Sequence, residues 1–224
     1  LMLSIYTFVF TVAFKARWGI NTNGSKAEFA LILFTGLILY SLISEILVSS
    51  PQLIANNANY VKKVVFPLEI LTVVNVCSVV FQSIISFSVL LIAIIIFSGL
   101  PGFIALFTPL TILPLIPLTL GIGWIISSLG VYIRDIQQFI GFLVTALMFL
   151  SPIFYPLEAL PKQLHIFILL NPLTIPVEQT RSLLIFGEIP NLQAYFVYLF
   201  ISLFICNFGF WFFQKTRRGF ADVI

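Results

Sequence analysis

Charge is what this 224-residue chain has least of: 8% of its residues are charged and 60% hydrophobic, and the mean hydropathy is +1.14. Soluble domains carry about 25% charged residues, so the deficit excludes a soluble globular domain and leaves an integral membrane protein. Reactive side chains are equally scarce. Cys77 and Cys206 are the only cysteines; both lie in apolar runs and read as buried free thiols, not as a disulfide or metal ligands. His165 is the single histidine, which excludes a His-based ligand set or triad. No GxxxxGK[ST] sequence occurs, so the chain lacks a phosphate-binding loop of this type, and energy for any transport must come from a partner or an ion gradient. Eleven basic against eight acidic residues give a net charge of +3, which does not suggest nucleic-acid binding.

What is abundant is apolar sequence in long runs. A helical span needs ~20 mainly apolar residues, so the length accommodates about six spans with short connections. The runs place them at about 1–14, 28–48, 70–98, 103–130, 139–155 and 192–213. The first is short for a span and fits the second half of a helix truncated at its N-terminus better than a signal peptide. Glu45 lies near a span end, where water is in reach; at a helix centre a charge would cost about 2.5–3.5 kcal/mol. Asn75, Gln82 and Ser83 form the polar interior of the third span and are expected to face other helices. Pro109, Pro114 and Pro117 predict a broken or kinked first half for the fourth. Gly123, Ser127 and Gly130 share one face there, which suits close helix packing.

Two stretches depart from this pattern. Residues 49–72 form the densest polar and basic cluster. On a helix, Leu53, Ile54, Tyr60, Val61, Val64 and Val65 fall on one arc and Asn56, Asn59, Lys62 and Lys63 on the other, with Asn57 the exception inside the apolar arc. A short amphipathic helix at about 51–65, ended by Phe66-Pro67, can lie on a bilayer surface or pack under a bundle. Residues 156–190 are apolar but punctuated by Pro156, Pro161, Pro172, Pro176 and Pro190, with Glu158, Lys162, Glu178, Arg181 and Glu188 spread among them. Short helices dipping into the bilayer against protein would satisfy that backbone. Between the fourth and fifth spans, residues 131–138 read as a polar hinge carrying Arg134 and Asp135.

Six spans put 49–72, the hinge and the C-terminus on one side, with Lys62, Lys63, Arg134, Lys215, Arg217 and Arg218. Lys15, Arg17, Lys26, Lys162 and Arg181 fall on the other. The first group is concentrated in short segments, so that side is assigned to the cytoplasm.

The order NANYVKKVVFPLEIL, then YIRDI, then SPIFYP, then Asn171-Pro172 resembles the permease subunit of ABC-2-type polysaccharide exporters, which carry O-antigen or teichoic-acid chains across the bacterial inner membrane. The resemblance covers nearly the whole chain. It implies an all-α multi-pass protein of six transmembrane helices, a cytoplasmic amphipathic coupling helix and a periplasmic re-entrant region. It also implies a homodimer with two copies of a cytoplasmic ABC ATPase, which would hold ATP and Mg, moving an undecaprenyl-diphosphate-linked glycan outward among membrane lipids. No cofactor is expected on this chain.

Carried over by position, Asn59, Tyr60, Lys62, Lys63, Phe66, Pro67 and Glu69 would form the coupling signature, and Arg134 and Asp135 the family's RD pair. Pro152, Phe154, Tyr155 and Pro156 would begin the periplasmic gate, whose second short helix opens near Asn171 and Pro172. Leu68 stands where relatives often carry Arg, and Thr72 where many carry Pro. The family's N-terminal amphipathic helix and the first half of its first span do not match any part of this sequence. A sugar chain needs hydroxyls and aromatic faces along its path; with 25 Phe and seven Tyr the rings are available. Phe142 and Phe149 are candidates, although lipid contact is the commoner role for such rings.

A secondary transporter would place ionisable groups at mid-membrane on discontinuous helices, and the apolar runs hold almost none at their centres. An ABC-2 exporter of a drug or small lipid is the nearer alternative. A membrane enzyme would need convergent carboxylates, histidines or a metal set, and Glu158 and Glu178 have no partner motif.

Overall fold

The computed structural model describes residues 26–62, 66–133, 135–157, 161, 163 and 165–223. Among them every regular element is helical. Four helices are long and apolar enough to cross a bilayer, 28–53, 69–98, 103–132 and 192–219, and a fifth apolar helix, Ile136–Leu150, is shorter. The expected span at 1–14 lies outside the described residues. The four long helices run one to six residues past the expected bounds, whereas the fifth begins three residues before its expected start and ends five before its expected end at 155.

Helix α1 (Lys26–Leu53) is about 42 Å long at 1.5 Å per residue. It carries Pro51 in its final turn, where Ser50 Oγ donates to the Ile46 carbonyl at 2.6 Å. The stretch read as one amphipathic helix at 51–65 is divided. Its first three residues finish α1, Ala55–Asn57 form a tighter turn, and α2 spans Ala58–Lys62. Asn57 explains the break: its side chain donates back to the Leu53 carbonyl at 2.8 Å and its amide to Ile54 at 3.0 Å. That local bonding competes with a continuous helix.

Helix α3 (Glu69–Ser98) ends at Gly99, whose φ of 87° is the left-handed stop that glycine supplies. The proline-rich segment is broken as expected: a tight turn at Phe103–Phe107, α4 at Thr108–Ile112, and α5 at Leu115–Tyr132 with Pro114 as its N-cap. Helix α6 (Ile136–Leu150) follows, starting three residues before the expected span, so the hinge shrinks to residues 133–135. Then come α7 (His165–Leu169), α8 (Thr174–Arg181), a wide turn at Ser182–Phe186, α9 (Leu192–Thr216), a tight turn at Arg217–Gly219, and α10 (Phe220–Val223).

The contacts group into two compact units, and α1 and α3 each contribute residues to both. One unit takes in described residues of 26–40, 83–111 and 147–192. Its core is Phe29, Leu33, Ile153 and Phe154, with Leu37, Tyr40, Met148 and Tyr155 packed around them. The other holds 41–82, 112–146 and 193–224. Ile54, Leu68, Trp124, Val131, Phe213 and Phe220 form its core.

In this second unit α5 packs through small residues. A Cβ on Gly209 of α9 would collide with the Gly121 backbone, and one on Gly130 with the Pro51 carbonyl. Ser127 is fully buried, and Gly123 faces the Thr72 methyl. The Gly123, Ser127 and Gly130 face is therefore a packing face, and the Gly121–Gly209 approach adds a second.

Candidate functional site

The residues expected to couple the chain to a partner cluster in the second unit, around the start of α3. Asn59 and Tyr60 are exposed on α2, and the Tyr60 ring lies 4.9 Å from that of Phe66. Phe66 is half-buried, resting on the Ile54, Leu68 and Phe220 core, while Pro67 is exposed. The Pro67 carbonyl accepts the Ile70 amide at 3.0 Å and the Leu68 carbonyl the Leu71 amide at 3.1 Å. These two bonds turn the chain into α3. Lys62 closes α2; Lys63 and Arg134 lie outside the described residues. Asp135 is exposed, and its carbonyl accepts the Gln138 and Phe139 amides at the start of α6.

Glu69 is the most connected of these residues. It lies in the first turn of α3, where a negative charge suits the helix dipole. Its backbone carbonyl accepts the Trp124 indole N–H at 3.1 Å. Its carboxylate accepts from Gln214 Nε2 at 3.1 Å and pairs with the Arg217 guanidinium at 3.0 Å. Just beside this pair, Tyr132 donates its hydroxyl to the Thr216 carbonyl at 2.8 Å, and its ring lies 5.9 Å from Phe220.

The C-terminal segment is thus built against the stretch from Ile54 to Glu69, with Phe213 and Phe220 fully buried beside Ile54 and Leu68. Sequence reasoning missed this bracing, because Arg217 registered only as one more basic charge in the tail. Leu68, in the position where the resemblance led one to look for Arg, is an apolar core residue, 8% exposed. Thr72 is fully buried, and its hydroxyl has no hydrogen-bond partner.

The residues expected at a gate fall in the first unit. Helix α6 ends at Leu150; the hydroxyl of Ser151, the next residue, bonds back to Met148 at 3.0 Å, and Pro152 begins a tight turn. Pro152 and Phe154 are buried; Tyr155 and Pro156 are half-buried. The Tyr155 hydroxyl donates to the Phe149 carbonyl at 3.1 Å. Asn171 accepts the Leu173 amide on its side-chain oxygen at 2.9 Å and donates to the Leu147 carbonyl at 3.3 Å. The Asn171-Pro172 pair is therefore a turn that prepares the start of α8 and ties it to the last turn of α6. Phe142 and Phe149 are 73% and 58% exposed, so neither ring is enclosed by this chain.

The strongest polar feature of this unit was not singled out from the sequence. Arg181, the last residue of α8, is fully buried. Its Nη1 donates to the Pro152 carbonyl at 2.6 Å, Nη2 to Ile153 at 2.9 Å, and Nε and Nη2 both to Ile32 of α1 at 3.2 Å. Glu178, one turn back, lies 3.5 Å from Nη1. Burial pulls the Arg181 pKa down to about 10 and Glu178 opposes the shift, so the group stays charged at neutral pH. The one signal available beforehand was a basic residue three positions after an acidic one in a mostly apolar stretch. No group of three or more metal-ligating side chains occurs among the described residues.

Residues 1–185 match the family model of the ABC-2 type transporter. The chain belongs to the ABC-2 type transporter family. It is accordingly a multi-pass inner-membrane protein and a component of a transport system. Similar proteins include two O-antigen export system permease proteins RfbA, from Klebsiella pneumoniae and Myxococcus xanthus. They are 22% and 21% identical over the whole of this chain and over 83% and 84% of their own lengths. The polysialic acid transport protein KpsM of Escherichia coli is 34% identical over 94 residues, 41% of this chain and 36% of its own. Among the described residues, the Glu69–Arg217 pair and the Arg181 cluster concentrate charged groups in otherwise apolar surroundings.

Proposed function

We propose that this chain is the membrane-spanning subunit of an ATP-driven exporter that moves a lipid-linked polysaccharide of the O-antigen or teichoic-acid type across the bacterial inner membrane. The observation that carries this reading is its similarity, over its entire length, to permeases named for O-antigen export. The subunit works as a homodimer with two copies of a cytoplasmic ABC ATPase, and ATP and Mg bind to that partner. An undecaprenyl-diphosphate-linked glycan is the cargo.

The coupling surface consists of Asn59, Tyr60, Lys62, Lys63, Phe66, Pro67 and Glu69, with Arg134 and Asp135 from the loop before α6. The partner's motion enters at α2 and passes into α3 through the Pro67 turn. Bracing by Arg217 and Gln214 supports this route, since a contact surface that transmits force must not yield locally. The turn after α6, with Pro152, Phe154, Tyr155 and Pro156, and the Asn171-Pro172 turn form the periplasmic gate. Phe142 and Phe149 offer aromatic faces to the glycan.

The test is co-purification of the tagged chain with an ABC ATPase from the same cells, together with surface glycan measured in those cells. Phe66→Ala is expected to reduce both several-fold while membrane insertion persists. Undiminished association and export would overturn the coupling assignment. Export of a drug or small lipid with no change in surface glycan would replace the cargo.

A further inference from the structure

A fully buried arginine in a membrane protein needs hydrogen-bond partners for its whole guanidinium. Arg181 finds them in three backbone carbonyls from two other segments: Ile32 of α1, and Pro152 and Ile153 in the turn that follows α6. The last two lie in the turn just beyond the end of α6. Pro152 itself cannot donate an amide, and within the turn the Ile153 amide donates to the Ser151 carbonyl at 2.7 Å, which leaves the Pro152 and Ile153 carbonyls facing the guanidinium.

Gly36 makes room for the arrangement. A Cβ there would lie 3.0 Å from Arg181 Nη2 and 3.2 Å from the Ile153 side chain. One planar, five-donor group therefore pins the 151–155 turn to α1, through a space that a side chain at position 36 would crowd, so that the guanidinium or the Ile153 side chain would have to shift by a few tenths of an ångström. A lysine, with a single point charge on a flexible stem, does not reproduce that fork.

We propose that Arg181 is a positioning residue that latches the 151–155 turn closed in the resting transporter, with Gly36 as its seat. This deepens the exporter reading and rests on it. The turn carries the gate residues Pro152, Phe154 and Tyr155, so the export path stays shut while the guanidinium holds the Pro152 and Ile153 carbonyls. Glu178, 31% exposed and 3.5 Å from Nη1, is the group that retains the arginine when those carbonyls leave.

The experiment uses the full transporter with its ATPase in nanodiscs, where both faces are open to reagent, without nucleotide. With Cys77 and Cys206 replaced by serine, a single cysteine at Leu157, half-buried beyond the turn, reports opening by its rate of reaction with a water-soluble maleimide. In a second chain a single cysteine at Val131, 8% exposed in the core of the other unit, reports general loosening. Arg181→Lys and Gly36→Ala are each expected to raise the Leu157 rate at least fivefold and leave the Val131 rate unchanged.

Equal Leu157 rates in variants and parent, or a parallel rise at Val131, overturn the latch. Should Arg181→Lys fail to assemble, Gly36→Ala decides, because it removes no hydrogen-bonding group; a Gly36→Ala chain that fails as well counts as general loosening and overturns the proposal. Surface glycan measured with the parent separates the two readings. A parent that exports glycan but whose variants label normally sinks the latch alone, whereas a parent that exports none sinks the exporter reading and leaves the labelling result standing.

Discussion

At the scale of single residues, Glu69 matters for where it is held more than for the energy it supplies. Its pair with Arg217 is partly exposed, at 21% and 42% for the two side chains, and such pairs contribute about 0–1 kcal/mol. Glu69→Arg and Arg217→Glu are therefore expected to cost no more than about 1 kcal/mol in thermal unfolding while lowering glycan exported per ATP hydrolysed. The double reversal restores that ratio if the pair orients the coupling stretch. A double variant no better than either single one would remove the ion pair from the mechanism. Glu69 was legible because it closes a recognisable run, VVFPLEIL. Its partner was not, since Arg217 is 148 positions away and a basic tail at the end of a span has an ordinary explanation in charge asymmetry. Arg181 was illegible for the same reason, with Ile32 149 positions distant.

At the scale of elements, glycine spacing on α5 was readable and half of its meaning was correct from the sequence. Gly123, Ser127 and Gly130 pack closely as expected, Gly130 most tightly against the Pro51 carbonyl, but the approach of Gly121 to Gly209 lies on faces that only the pairing of α5 with α9 brings together. Gly209→Leu is expected to push those helices apart, at the ~1–3 kcal/mol typical of overpacking, and to lower the unfolding temperature in detergent. Gly141→Ala on α6, where a Cβ meets nothing within 4 Å, is the contrasting case. It should be neutral or stabilising by up to about 1 kcal/mol, the helix-propensity difference. Equal effects of the two would refute the packing. The 51–65 stretch teaches the converse lesson: periodicity found its apolar arc, but Asn57 bonding back to Leu53 and the burial of Ile54 cut the helix into a tight turn and α2.

At the scale of the whole molecule, sidedness is the property that the expected function depends on. Leu170 is 76% exposed and Leu173 fully buried, in the turn between α7 and α8. With this turn on the periplasmic side, Leu170→Cys should react with impermeant reagent added to intact spheroplasts, and Leu173→Cys only slowly unless the gate opens. Labelling of Leu170→Cys solely in inverted vesicles would reverse the topology. What the sequence determined by itself is the solvent and the element type: a charge content of 8% and apolar runs of span length leave helices in lipid as the means of pairing the backbone. It also marked the breaks, because proline and glycine act through local backbone geometry. Which of the scarce polar groups meet, by contrast, is set by how the helices pack. Arg217 finds Glu69 and Arg181 finds the Ile32, Pro152 and Ile153 carbonyls across long stretches of chain. In an apolar interior a polar side chain must be satisfied by whichever group the packing brings within reach, and that group carries no mark in the local sequence.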